Sequence, residues 1–182
     1  GHSEHTPEPD EHIWTSPKNA ELIVKSICSA LEKADPSNAG YYKKNAENYI
    51  YELNRLDGDI RSAVEGAKRK TVVFADRFPM RYFADEYGLE YFAAFPGCSS
   101  ESEPSAATIS FLIEKVKSEH IPVVFFTETS DGKVADTICE ASGAEKLLFH
   151  SCHNITKQQF DGKATYISLM KQNLKALQTA LN

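Results

Sequence analysis

From Pro17 to Glu32 the apolar residues Ala20, Ile23, Val24, Ile27, Ala30 and Leu31 recur at the spacing of one buried helical face. Ser16 followed by Pro17 supplies a cap and a first-turn residue, so a helix is predicted to start there. Asp35-Pro36 breaks it. A second helical pattern runs through Tyr42, Ala46, Tyr49, Ile50, Leu53, Leu56, Ile60 and Val64 to the neighbourhood of Gly66. At ~1.5 Å per residue this segment would be on the order of 45 Å long, more than a small domain is wide, and helices of that length usually bridge separate units. Gly58 inside it lowers helix propensity by about 1 kcal/mol relative to Ala and marks a candidate bend or close contact.

After Arg69-Lys70 the pattern changes to short apolar runs separated by helical stretches. The runs are Thr71 to Ala75, Leu89 to Phe95, Ile121 to Thr127 and Lys146 to His150. Helices are predicted between and after them at Pro79 to Tyr87, Pro104 to Glu119, Lys133 to Ser142 and Tyr166 to Leu181. Strands that are apolar on both faces and alternate with helices imply an α/β fold, with a parallel sheet covered on both sides. The pattern divides the chain into a His-rich loop and first helix over 1–35, a long bridging helix over 36–68 and a (β/α) part over 69–182.

Composition narrows the function classes. The 182 residues fit one generous domain or one and a half small ones, with enough apolar content for a real core. A net charge of −6 lacks the basic face that a nucleic-acid partner needs. No window approaches the roughly 18–20 apolar residues of a membrane span, and no signal peptide opens the chain. The start in a polar loop without Met fits a mature or truncated fragment. The four cysteines form no C-x-x-C pair, which disfavours a zinc knuckle. G-x-S-x-G, P-loop and G-x-G-x-x-G sequences follow none of the strands, so acyl transfer, nucleotide binding through a P-loop and dinucleotide binding lack their usual supports. A Cys98 or Cys152 nucleophile beside His153 is the remaining catalytic alternative, and it has no orienting third group.

The candidate chemistry is metal binding. His2, His5 and His12 lie in an acidic leader, and imidazole is the commonest protein ligand for borderline transition metals. His2 and His5 belong to a stretch without hydrophobic periodicity, which could collect metal loosely or be tag-like. His12 directly precedes Ile13 and Trp14, where apolar sequence begins; a hydrogen-bonded core histidine is the competing interpretation. In a parallel sheet functional groups gather at the carboxyl ends of the strands. These ends carry Asp76, Glu128, and His150 with His153, a mixed nitrogen and oxygen set. Each has a structural alternative: Asp76 could pair with Arg77 or Arg81, Glu128 could cap a helix, and His150 could be a satisfied strand-end residue. Cys98 and Cys152 could form a disulfide if their strands are neighbours, whereas Cys28 and Cys139 fit helical apolar positions.

DEHIWTSPKNA, DPSNAGYYKKNAENY, the loop ending in EPS, PVVFFTE and TYISLMKQNLKAL occur in the order seen in a known family across nearly the whole chain. The chain resembles the second half of the zinc and manganese solute-binding proteins of ABC importers, the cluster A-I or cluster 9 family. That resemblance implies two (β/α) lobes joined by a long helix with the metal between them, the first lobe and first histidine ligand preceding residue 1. It maps His12 onto the family's second ligand, and Asp76 onto the third, in a segment that departs from the pattern by lacking a histidine. His150 maps onto the fourth ligand, with His153 able to replace it. Glu128 is structural in this mapping, and Glu103-Pro104-Ser105 is the EPS loop, with Pro104 in the first helical turn. The implied protein is not an enzyme. It is an extracytoplasmic, periplasmic or lipid-anchored receptor that passes zinc, favoured over manganese by its imidazoles, to an ABC permease. The alternative is a binding protein of the same architecture for another ligand, such as a metal chelate.

Overall fold

The computed structural model describes residues 10–95 and 104–182. His2, His5, Cys98 and the acidic loop through Glu103 lie outside the described residues. Among the described residues four strands, β1 (Thr71–Arg77), β2 (Glu90–Phe95), β3 (Val123–Phe126) and β4 (Glu145–Leu148), form one sheet in the order β2-β1-β3-β4. All three pairings are parallel, with Phe74 opposite both Ala93 and Phe125 and Val124 opposite Lys146. The α/β parallel-sheet expectation therefore holds. Alternate residues of β1 and β3 enter two separate cores. Val72, Phe74, Val123 and Phe125 face one, and Val73, Ala75 and Val124 face the other. Burial on both faces explains why these strands read as continuous apolar runs instead of alternating ones.

The first core is closed by α2 (Ala39–Glu65), α3 (Arg81–Tyr87) and α7 (Tyr166–Leu181), through Leu56, Ile60, Phe83, Met170 and Leu177. The second is closed by α4 (Ala106–Ser118) and α5 (Lys133–Ser142), through Leu112, Val116 and Ile138. Ahead of them α1 (Pro17–Ala34) packs on α2. Ser16 caps α1 by accepting from the Asn19 amide at 3.3 Å, and Pro17 occupies the first turn as predicted. The break after α1 has a specific cause. The Asp35 carboxylate accepts from Ser37 Oγ (2.6 Å), Asn38 Nδ2 (2.7 Å) and Tyr42 Oη (2.9 Å), fixing a short 3-10 turn at Pro36–Asn38 before α2 begins. These bonds, led by that from Ser37, hold the Asp35 carboxyl at about 2.

Two details differ from the sequence expectation. The Glu103-Pro104-Ser105 segment does not put proline in the first turn of α4: Ser105 is the cap, accepting from Thr108 N at 3.1 Å, and Pro104 lies outside the helix. A short helix, α6 (Lys157–Asp161), was not anticipated; it is held by a capping box between Thr156 and Gln159. None of the described helices is long and apolar enough to cross a membrane.

Candidate metal centre

Asp10 to Thr15 form a hook against the carboxyl end of the sheet. His12 is only 4% exposed, and its Nδ1 lies 2.9 Å from Asp10 Oδ1. The same oxygen accepts the His12 amide at 2.9 Å. A carboxylate oxygen can only accept, so Nδ1 carries a proton and, in the neutral ring, Nε2 bears the lone pair. A carboxylate behind an imidazole is the arrangement that orients metal-ligating histidines. Tyr82 Oη of α3 ties the start of the hook down by donating to the Asp10 carbonyl (2.9 Å), and Thr15 Oγ1 closes the hook on itself by donating to the His12 carbonyl (2.8 Å).

Trp14 joins this hook to the loop after β4. Its Nε1 donates to the Ser151 carbonyl at 3.0 Å, and its own carbonyl accepts from Tyr166 Oη at 2.8 Å. His153, an exposed residue of that loop, is thereby set beside His12, with ring centres 5.7 Å apart and Trp14 within 5.8 Å of it. Two imidazoles on one tetrahedral zinc, each with its nitrogen ~2.1 Å from the metal, place their ring centres roughly 5 Å apart. The two rings are therefore already spaced nearly as a shared ion requires, and their nitrogen donors suit zinc.

His150 has a different setting. Asn173 of α7 accepts from its amide and donates to its carbonyl, both at 2.7 Å, and the ring is buried. The Cys152 amide donates to His150 Nδ1 at 3.0 Å, so the neutral ring carries its proton on Nε2. That Nε2 is buried with no hydrogen-bond partner among the described residues. Ligation through it would require the opposite tautomer and loss of the Cys152 bond.

Asp76 lies at the junction of β1 and β3, where the strand order reverses. Its Oδ2 accepts from Thr127 N (3.2 Å) and Thr127 Oγ1 (2.8 Å), and its Oδ1 from Arg77 N (2.8 Å). Glu128, next along the edge, accepts from Ser151 N (2.8 Å) and Ser151 Oγ (2.5 Å), and does not cap a helix with its side chain. Burial would raise the Glu128 pKa, but the two Ser151 bonds prevail and hold it below the usual carboxylate value. The carboxyl edge is thus laced from β1 through β3 to β4.

Among the described residues no three His, Cys, Asp or Glu side chains lie close enough together to hold a metal, so His12, Asp76 and His150 are not gathered as a triad. His12 and His153 are brought together; Asp76 and His150 are engaged elsewhere. Sequence reasoning missed Asp10 and Trp14. The only signal for Asp10 was a carboxylate two positions ahead of His12, in a leader crowded with acidic residues.

The cysteine alternatives find little support. Burial, then the charge of Glu128, push the Cys152 thiol up to about 12, so it is protonated at neutral pH and a poor nucleophile. Cys152 is unbridged. The strands preceding Cys98 and Cys152, β2 and β4, occupy opposite edges of the sheet, so the neighbour condition for that disulfide is not met.

Residues 1–180 match the family described as zinc-uptake complex component A, periplasmic (ZnuA). The high-affinity zinc uptake system protein ZnuA of Bacillus subtilis (strain 168) is 36% identical over 172 residues, covering 94% of this chain and 53% of that protein. The chain thus spans about half of that relative's length. The crystal structure of the metal-dependent lipoprotein YcdH from Bacillus subtilis superposes with a TM-score of 0.83 at 36% identity, covering 95% of this chain and 65% of that one. The Zn(II)-bound ZnuA-like domain of Streptococcus pneumoniae AdcA gives a TM-score of 0.81 at 31% identity, covering 98% and 66%.

Proposed function

Because the chain belongs to the zinc-uptake complex component A family, we propose that it captures zinc outside the cytoplasm as a solute-binding protein and passes it to an ABC permease. The observation that carries this reading is the pair His12 and His153, with ring centres 5.7 Å apart and a carboxylate behind the first. In this reading His12 ligates through Nε2 and His153 supplies the second imidazole in place of His150. Asp76 and His150 brace the edge from which they project. A nitrogen-rich set favours zinc over manganese, which accepts oxygen ligands more readily.

The test is titration calorimetry on the full-length protein with zinc and manganese, repeated for His12→Ala, His153→Ala and His150→Gln. The expected result is tight zinc binding, a loss of at least ~100-fold in His12→Ala and His153→Ala, and a much smaller loss in His150→Gln, since removing a ligand costs more than disturbing its support. A full-length protein that binds neither metal, or a His12→Ala variant with wild-type affinity, overturns the reading. A His150→Gln loss as large as that of His12→Ala restores His150 as the ligand.

A further inference from the structure

His12 and His150 are held as opposite tautomers by what is hydrogen-bonded to their Nδ1 atoms: a carboxylate at 2.9 Å for the first and a peptide N–H at 3.0 Å for the second, with Glu128 Oε1 farther from His150 Nδ1 at 3.6 Å. We propose that Asp10 is a positioning residue for zinc capture, holding the His12 imidazole with its proton on Nδ1 so that Nε2 presents its lone pair to the metal. The inference rests on His12 being a zinc ligand, but its first test is made without metal.

The geometry around Asp10 is that of a fixed support. One oxygen, Oδ1, receives both the His12 amide and His12 Nδ1 at 2.9 Å, which sets the ring's plane relative to its own backbone. The Asp10 backbone carbonyl is held by Tyr82 Oη at 2.9 Å, so the backbone that carries the carboxylate is anchored to α3. Both side chains are largely buried, 6% exposed for His12 and 10% for Asp10, so water competes weakly for the bond. An anionic acceptor also raises the donor strength of the opposite ring nitrogen toward a cation, and removing such a partner lowers metal affinity about 10–100-fold. A purely structural histidine gains nothing from this choice of tautomer.

The experiment uses full-length protein labelled with ¹⁵N-histidine, read by long-range ¹H–¹⁵N correlation at about pH 8, above the ordinary imidazole pKa of roughly 6.5. In the metal-free protein His12 is expected as the Nδ1–H tautomer and His150 as the Nε2–H tautomer. Asp10→Ala should move His12 toward Nε2–H, leave His150 unchanged and weaken zinc binding about 10–100-fold. Asp10→Asn keeps an acceptor oxygen in place and should recover part of both effects; it also serves as the test variant if Asp10→Ala does not fold. A wild-type His12 protonated on Nε2, or an Asp10 variant with unchanged tautomer or unchanged affinity, overturns the proposal alone. Retention of zinc by His12→Ala overturns the reading of His12 as ligand and the proposal with it.

Discussion

Glu128 is a buried carboxylate whose worth depends on one neighbour. Ser151 gives it an amide and a hydroxyl bond, and these outweigh the effect of burial to keep its folded-state pKa below the unfolded value. A depressed carboxylate pKa contributes stability that is present above the unfolded value of roughly 4.3 and is lost as pH falls through the folded one. Glu128→Ala should therefore lower stability at pH 7, by about 1–3 kcal/mol for two stranded Ser151 donors, and flatten the decline in melting temperature below about pH 4. Melting curves of both proteins from pH 7 to pH 3 check this; parallel curves would refute it. Asp76 leads to a related expectation. Its Thr127 and Arg77 bonds leave it bracing the sheet edge, so Asp76→Ala should lower the melting temperature by about 4–10 °C, at ~2–4 °C per kcal/mol for a domain of this size. Zinc affinity of the folded variant should change far less than in His12→Ala, and calorimetry showing an equal loss would make Asp76 a ligand after all. Chain position alone pointed to Asp76, Glu128 and His150 as strand-end groups. It could not separate a brace from a ligand, because that depends on partners such as Thr127, 51 residues from Asp76.

The elements were legible where period and caps agreed. The Ser16-Pro17 start, the 133–142 helix and the 166–181 helix stand where the pattern put them, and each strand run overlaps its strand, although β1 runs on to Arg77 and β4 begins at Glu145. Strand ends were less sharp, because Ile121 and Thr127 continue the apolar run while making no part of the ladder. The short α6 has no apolar face to betray it, only its Thr-x-x-Gln box. Along α2, burial is uneven: Leu53, Leu56, Ile60 and Val64 are covered, whereas Tyr41, Tyr49 and Tyr51 are exposed. A helix set in the sheet's core at one end and packed chiefly against α1 at the other opens more readily at the second. Amide exchange in this chain should accordingly be slower over 53–64 than over 41–50, and uniform protection along α2 would contradict that asymmetry. Leu56→Ala should cost about 2–5 kcal/mol, since the side chain is fully enclosed in the first core.

At the scale of the molecule, three helices, α1, α2 and α3, are joined by one buried acid. Asp57 of α2 receives Tyr87 Oη of α3 at 3.0 Å and Arg61 Nη2 at 3.2 Å, with Lys18 Nζ of α1 at 3.7 Å. Glu86 of α3 completes the cluster through Arg61 at 2.8 Å. Burial, then the Asp57 charge, raise the Tyr87 pKa well above its usual value, and burial does the same for Tyr166 beneath the hook. Groups whose folded pKa is raised contribute stability that is fully present below the unfolded value, roughly 10 for tyrosine, and is lost progressively as pH climbs from there toward the folded value. The native state should hold a plateau through neutral pH and lose melting temperature as pH rises beyond about 10. Tyr87→Phe separates the two parts of this argument. It removes a hydrogen bond to a charged partner, worth about 1.5–3 kcal/mol, so the variant should be less stable at pH 7. It also removes a titrating group that the fold keeps protonated, so its further loss between pH 8 and pH 11 should be smaller than that of the unsubstituted protein. Thermal melts across that range decide the point: an equal alkaline loss in both proteins would mean that the buried phenol does not govern that limb.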